Sequence, residues 1–522
     1  MTEIGPAPPT DIGFGTLSEQ IRSHAARQPR HAALVQAGRM LDYGELDARM
    51  DRVAVALQRD GVAPQDVVSV CAGTSLDYAA VFLGALRAGV AVAPLAPSCT
   101  ATEIAAMVAD AGAKRLFLDA GVAQALEPAA GRMDTPRIAL DDSAAGAPLR
   151  DWLAPPGAAP APVAVQPHWA FNIIYSSGTT GMPKGIVQSH AMRWGHVQRA
   201  AIYGYGTDTV TMLATPLYSN TTLVCFFPTL SAGGTAVLMG KFDAAAYLAL
   251  AAQQRATHTM LVPVQYQRIM ALPDFGAYDL SSFRFKFCTS APFRAELKAD
   301  ILSRWPGGLV EFYGMTEGGG TCILVAHEHP SKLDTVGRPA EGHDIRLIDE
   351  QGREVAPGAP GEVVGRSPMM MNGYHNQPAK TREAEWYSPQ RERFIRSGDL
   401  GRFDADGFLT LLDRKKDMII SGGYNVYPSD LEAVMRAHAD VADVAVVGVP
   451  SERWGETPVA FVVLKPGARA HAQALLEWTN SRVNKIQRLA DLRLAGSLPR
   501  SAIGKVLKRE LRDGYRAWPD AR

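Results

Sequence analysis

The sequence predicts an α/β protein: a large N-terminal domain of layered α/β subdomains plus a β-rich subdomain, followed by a small α+β C-terminal domain. Three observations carry this reading. The chain has 522 residues, too many for a single hydrophobic core. Apolar runs alternate with amphipathic stretches through 67–118 and again through 209–325, the pattern of sheets covered by helices. The character then changes, first to short strands with polar turns over 343–366 and 407–412, and after Arg414 to a charged α+β stretch. The boundary therefore falls between domains 1–413 and 414–522.

Taken in order, residues 16–60 carry helical spacing, with Leu41 to Leu46 running into Val53, Val55 and Leu57. Runs at 67–71, 90–94 and 115–118 read as strands, and those at 78–88 and 103–111 as helices. A Pro/Ala-rich stretch over 153–167 reads as an extended connector. Phe171 to Tyr175 then form a strand that enters a turn, and further strands are expected near 210–214, 257–262, 285–289 and 309–313. Glu350-Gln351-Gly352 and Asp404-Ala405-Asp406-Gly407 supply turns for the β-rich subdomain. In the last domain Ser429-Asp430-Leu431-Glu432 reads as a capping box opening a helix to about His438. Strands follow at 441–449 and 459–464, with helical stretches near 471–485 and 504–513.

Composition excludes several function classes. Fifty-three basic residues balance 53 acidic ones, which removes the electrostatic case for nucleic acid or an anionic membrane. Five cysteines lack any C-x-x-C pair. That argues against a disulfide framework and a zinc site, and suits a reducing cytoplasm. The polar, proline-rich start is not that of a secretory leader. The most apolar stretch, 78–97, is interrupted by Arg87, Gly89 and Pro94 and is expected to be core, not a membrane span.

The chemistry is concentrated in six strings. Ser176-Ser177-Gly178-Thr179-Thr180-Gly181-Met182-Pro183-Lys184-Gly185 follows the strand ending at Tyr175. Its backbone N–H groups and hydroxyls can turn toward a polyphosphate, and Lys184 adds a cation. The spacing is not that of the Walker loop, because no Ser or Thr follows the lysine. The others are Phe312-Tyr313-Gly314-Met315-Thr316-Glu317, Ser397-Gly398-Asp399, Asp413-Arg414-Lys415-Lys416-Asp417, Ser421-Gly422-Gly423-Tyr424-Asn425 and Leu498-Pro499-Arg500-Ser501-Ala502-Ile503-Gly504-Lys505. Each alone also fits a solvated turn or charge run. Together, in this order from about residue 40 to 510, they resemble the adenylate-forming superfamily of acyl-CoA synthetases, peptide-synthetase adenylation domains and luciferases. The character is closest to that of the AMP-forming acyl-CoA ligases.

The resemblance implies roles residue by residue. Ser176, Ser177, Gly178, Thr179, Thr180, Gly181 and Lys184 would cradle phosphates, with Ser290, Ala291 and Pro292 beside the nucleotide. Phe312, Tyr313, Gly314 and Met315 would line the adenine site with Tyr313 stacked on the base. Thr316 would bond the α-phosphate and Glu317 would hold Mg²⁺, a hard cation that needs oxygen. Asp399 would accept from the ribose hydroxyls, and Arg414 would also reach the ribose. Lys416 occupies the hinge position of a mobile C-terminal domain. Gly422, Gly423 and Tyr424 would line the thiol tunnel, and Lys505 would bridge the acid's carboxylate and the α-phosphate. Lys505, Lys184, Thr316 and Glu317 are thus the expected catalytic set, with ATP, Mg²⁺ and coenzyme A as cofactors.

The acid pocket is where the chain departs from its family. Ser219 in Pro216-Leu217-Tyr218-Ser219-Asn220 stands where the family usually has histidine. No acidic residue occurs at 217–224 to meet a substrate ammonium, which disfavours an amino acid. Tyr218, Ser219, Asn220, Val262, Thr289, Phe312, Gly314, Gly319 and Gly320 are expected to line the pocket. The small groups at 219, 319 and 320 are expected to leave room for a bulky, branched, alicyclic, aromatic or medium-chain acid. Expected partners are that acid, ATP and coenzyme A, without nucleic acid or a membrane span, and with a homodimer as the one assembly considered. An acyl-AMP ligase loading a carrier protein, a luciferase-like oxygenase and a non-catalytic nucleotide-binding relative are the alternatives.

Overall fold

The structure is a computed structural model and describes residues 13–176, 183–421, 424–501 and 504–515. The chain divides into two compact units: residues 1–334, 339–344 and 365–395, and residues 335–338, 345–364 and 396–522. A cut at 413/414, where the composition changes, would pass through a hairpin ladder in which Asp399 faces Arg414 and Leu400 faces Asp413. Compactness instead groups that hairpin with the C-terminal residues.

The first unit is built on two sheets. One runs Thr321–Val325, Gly308–Gly314, Phe285–Cys288, His258–Leu261, Val210–Leu213, Thr235–Leu238, Ala32–Gln36, Arg39–Asp42. The other runs Gly373–Tyr374, Lys184–Ser189, Ala170–Ser176, Ala91–Leu95, Val67–Cys71, Leu116–Leu118, Arg137–Ala139, Ala147–Pro148. Their centres are parallel, and Val67–Cys71 and Ala91–Leu95 are buried at every residue, as parallel strands covered on both faces must be. Helices Leu76–Arg87 and Asn220–Ser231 are likewise buried along nearly their whole length. That accounts for the apolar stretch over 78–97, and no described helix is long and apolar enough to cross a membrane.

Residues 16–60 are not wholly helical. Helices Leu17–Arg27 and Tyr43–Arg59 start at capping boxes, Thr16 with Glu19 and Asp42 with Glu45. Between them lies a hairpin, Ala32–Gln36 against Arg39–Asp42. Its turn is Ala37-Gly38 with both residues at positive φ. Its second strand does not alternate between buried and exposed, so neither the turn chemistry nor the period marked it.

In the second unit the hairpin Val441–Ser451 and Gly455–Leu464 is central. Val444, Val446, Ala460 and Val462 enter one core, and Ala445, Val447, Val459 and Phe461 another, the two-residue period of a sheet covered on both sides. The helix expected to open at Ser429 runs Pro428–Arg436 with Tyr427 at its N-cap and no side-chain cap. Ser429 lies inside the helix, its hydroxyl donating to the Leu412 carbonyl. Glu432 is engaged by Arg436, Lys508 and the backbone N–H of Val446. Long-range partners outcompeted the local box.

Candidate active site

Strands Ala170–Ser176 and Lys184–Ser189 pair antiparallel and set Ser176 opposite Lys184. Of the phosphate-loop string, Ser177, Gly178, Thr179, Thr180 and Gly181 lie outside the described residues. Lys184 Nζ stands 5.0 Å from the centroid of the Tyr374 ring, an attractive cation–π distance. Tyr374 is placed by its pairing with Ile186 and by packing with Met371 and Ile395. Its hydroxyl donates to Glu317 Oε1 at 2.8 Å. Burial, then the neighbouring Glu317 charge, push the Tyr374 phenol far above its ordinary range, so it remains a donor. One aromatic residue therefore links the expected phosphate cation to the expected metal carboxylate.

The segment bearing Thr316 and Glu317 follows strand Gly308–Gly314 and is held by its backbone. Gln188 Nε2 donates to the Thr316 carbonyl at 2.7 Å, and Met371 N–H to the Glu317 carbonyl at 2.8 Å. Behind Gln188 a relay continues inward. Asn172 Nδ2 donates to Gln188 Oε1 at 3.0 Å, and Arg193 Nε donates to Asn172 Oδ1 at 2.9 Å. Every amide in the relay has its orientation fixed by its neighbour. Arg193 is buried against the rings of Phe171 and Phe227, and burial lowers its pKa to about 9. Tyr374, Gln188, Asn172 and Arg193 carry no motif, so the sequence did not signal them.

No group of three or more His, Cys, Asp or Glu side chains able to hold a metal occurs among the described residues. Magnesium shared with a polyphosphate needs only one or two carboxylates, because phosphates and water complete its shell. Glu317 fits that role, with one oxygen fixed by Tyr374.

The residues expected around the acid have varied surroundings. Ser290, which with Ala291 and Pro292 follows strand Phe285–Cys288, has φ +82°, and its hydroxyl lies 2.6 Å from that of Thr221. Thr289 Oγ1 donates to the Phe312 carbonyl at 2.8 Å. Ser219 is buried at the N-cap of helix Asn220–Ser231 without capping it, and Val262 is buried at the N-cap of Pro263–Met270. Asn220 Oδ1 is buried without a partner among the described residues, and burial raises the pKa of the Tyr218 phenol. Tyr313 faces Cys322 and Gly314 faces Thr321 across the strand pair.

Gly319 requires a correction. A Cβ on Gly319 would stand 2.7 Å from Ile395 Cβ and 3.1 Å from both Gly365 O and Met315 Sδ. Protein already fills that volume, so Gly319 leaves no space for a substrate. Gly320 has φ +91°, which strains any L side chain; its backbone accounts for the glycine.

Within the second unit, Asp399 and Arg414 face each other across the hairpin and pair at 2.7 Å. Lys505 lies in the same neighbourhood. Burial, then the charges of Arg414 and Lys416, lower its pKa to about 8 against the opposing pull of Asp399 and Asp417. Its loop is fastened by Arg500, which donates to the Gly504 carbonyl at 2.6 Å and pairs with Asp443. That gives a structural reason for the arginine in the closing motif. Lys416 is exposed, whereas its neighbour Lys415 is tied to Glu362 at 2.9 Å. Tyr424 is 60% exposed, and Gly422 and Gly423 lie outside the described residues.

Residues 21–375 match the AMP-binding enzyme family and 430–505 its C-terminal domain. The chain belongs to this family, the adenylate-forming superfamily that includes the AMP-forming acyl-CoA ligases. It is an ATP-dependent, AMP-forming acid–CoA ligase, and its cofactors are ATP, Mg²⁺ and coenzyme A. It is similar to an indoleacetate–CoA ligase of Aromatoleum aromaticum, with 33% identity over 95% of this chain and 97% of that protein. It is also similar to the fatty acid–[acyl-carrier-protein] ligase ScoC of Streptomyces coeruleorubidus, with 32% identity over 97% of each chain. Among solved structures, ATP-bound MatB from Rhodopseudomonas palustris superposes with a TM-score of 0.85 at 29% identity, over 96% of this chain and 99% of that one.

Proposed function

We propose that this enzyme activates a bulky, branched, alicyclic, aromatic or medium-chain carboxylic acid in the cytoplasm and transfers it to coenzyme A. The observation that carries this reading is the Lys184–Tyr374–Glu317 linkage, with Lys184 Nζ 5.0 Å above a ring whose hydroxyl binds Glu317 at 2.8 Å. It sets a cation beside a fixed carboxylate at the end of the phosphate-loop strands.

A carboxylate resists thiol attack because its charge repels a thiolate and oxide does not leave. In the first step one carboxylate oxygen attacks the α-phosphorus of ATP and pyrophosphate departs, giving the acyl adenylate. In the second, a thiol attacks the acyl carbon and AMP departs with the electrons of the C–O bond. Charge accumulates on phosphate in the first step, so catalysis is positioning plus cations. Lys184 and the loop N–H groups receive the phosphates, Thr316 bonds the α-phosphate, and Lys505 bridges it to the acid. Mg²⁺ held by Glu317 neutralises phosphate charge when bound. Asp399 and Arg414 hold the ribose and Tyr313 the base. Lys416 takes the hinge role between the two steps, and Gly422, Gly423 and Tyr424 take the pantetheine arm in the second. Tyr218, Ser219, Asn220, Val262, Thr289 and Phe312 surround the acyl group.

The test is pyrophosphate release against a panel of acids, with and without coenzyme A. AMP and an acyl-CoA are expected, and ADP with phosphate would refute the reading. The likeness to ScoC keeps a carrier protein as the second acceptor to try; turnover with free coenzyme A decides between them.

A further inference from the structure

Helix His190–Ala200 places three basic side chains, Arg193, His196 and Arg199, three residues apart along one face, the spacing of side-chain neighbours on a helix. Among the described residues no carboxylate pairs with any of them, nor with His343, which lies against Arg199. Burial lowers the pKa of His196, Arg199 and His343, the last to about 4, so both imidazoles are neutral near pH 7. All three still expose part of their surface.

The protonation of His343 is decided by its neighbour. The Thr321 backbone N–H donates to His343 Nδ1 at 2.9 Å, so Nδ1 is an acceptor and the neutral ring carries its proton on Nε2. Arg199 Nη1 lies 3.2 Å from that Nε2. A guanidinium has only donors. Two donors therefore confront each other with no acceptor between them, an arrangement that an incoming anionic oxygen would satisfy twice over. Nearby, the Tyr203 hydroxyl and His196 Nδ1 are buried without partners among the described residues.

Two contacts tie these groups to residues expected around the acyl group. The Tyr203 ring meets Phe312 edge-on at 5.8 Å, and the Arg199 charge acts on the Tyr203 phenol. Thr321, which fixes His343, directly follows Gly320 and faces Gly314. We propose that Arg199 and His343 form a carboxylate-binding subsite at the inner end of the acyl pocket, so that the acid this enzyme activates carries a second carboxylate. This rests on the acid-activating function proposed above and names its substrate class. The far carboxylate accepts from Arg199 and from His343 Nε2–H together and supplies the missing counter-charge. A monoacid of the same length leaves that charge uncompensated.

The test compares dicarboxylic acids, aliphatic and aromatic and of graded length, with their monomethyl esters in pyrophosphate release at saturating ATP. At least one diacid should exceed its ester by about tenfold or more in kcat/KM, since a site built for a polar group rejects the analogue lacking it. Arg199→Gln should raise KM for that diacid about tenfold or more and leave KM for the ester and for ATP unchanged, with Arg199→Lys restoring part of the preference. Esters used as well as diacids throughout the panel, or an Arg199→Gln loss equal for both, would overturn the subsite alone. Failure of every acid to yield pyrophosphate would defeat the ligase reading, and the subsite with it.

Discussion

Tyr374 donates its hydroxyl to Glu317 across 57 positions of sequence, at 2.8 Å, while its ring lies under Lys184. The contact gives the proposed phosphate lysine and the proposed metal carboxylate a common support. Removing the hydroxyl isolates that contribution, because Tyr374→Phe keeps the ring and its packing. A hydrogen bond to a charged group contributes about 1.5–3 kcal/mol. The expected outcome is an apparent KM for Mg²⁺ raised about tenfold, with KM for coenzyme A unchanged. A magnesium titration of initial rates checks it, and an unaltered magnesium dependence would show that Tyr374 supports only packing.

The relay from Arg193 through Asn172 and Gln188 to the Thr316 carbonyl predicts coupled losses. Gln188→Leu leaves Asn172 Nδ2 and the Thr316 carbonyl without this partner in a buried setting, a cost of about 1–3 kcal/mol. Unfolding in urea should show that loss, and kcat/KM for ATP should fall with it. Asn172→Leu should cost a similar amount, and the double variant less than the sum, since both belong to one network. Strict additivity would mean that the relay does not act as a unit.

The alternation of strand-like and helix-like runs made the α/β layers legible, because strands such as Val67–Cys71 are buried throughout and helices such as Leu76–Arg87 are buried at every position but Asp77. The motif strings likewise named Lys184, Glu317, Asp399, Arg414 and Lys505 as the candidate site residues. What stayed hidden was whatever depends on partners distant in sequence. Ser429 reads as a cap until Leu412 claims its hydroxyl. Tyr374 and Gln188 are ordinary residues until the sheet brings them to Glu317 and Thr316. Gly319 reads as open space until Ile395 is seen against it.

That last contact sets a stability prediction. Gly319→Ala places a Cβ 2.7 Å from Ile395 Cβ, and overpacking of this kind costs about 1–3 kcal/mol. The melting temperature should fall, and Ile395→Val, which keeps the clashing Cβ, should not recover the loss. Gly320→Leu should damage small and large acids alike, because φ +91° strains the backbone whatever the substrate. Discrimination between acid sizes in Gly320→Leu would contradict this.

Lys505, with its pKa lowered to about 8 by burial and by Arg414 and Lys416, predicts an alkaline limb. The cation is the form that meets developing phosphate charge, and it is lost as pH rises through that value. Adenylation kcat/KM should therefore fall about tenfold per unit above about pH 8. Lys505→Arg, whose charge persists, should abolish the limb even if its plateau is lower. Lys505→Ala should suppress acyl-adenylate formation while sparing thioester formation from supplied acyl-AMP. Equal loss in both half-reactions would contradict the assigned role.

In the proposed reaction an oxygen of the acid itself attacks the α-phosphorus of ATP. Supplying a turned-over acid with ¹⁸O in its carboxylate, together with ATP, Mg²⁺ and coenzyme A, tests this most directly by mass spectrometry of the nucleotide product. AMP carrying one ¹⁸O atom is expected, accompanied by pyrophosphate and the acyl-CoA. Unlabelled AMP, or label in inorganic phosphate beside ADP, would contradict it.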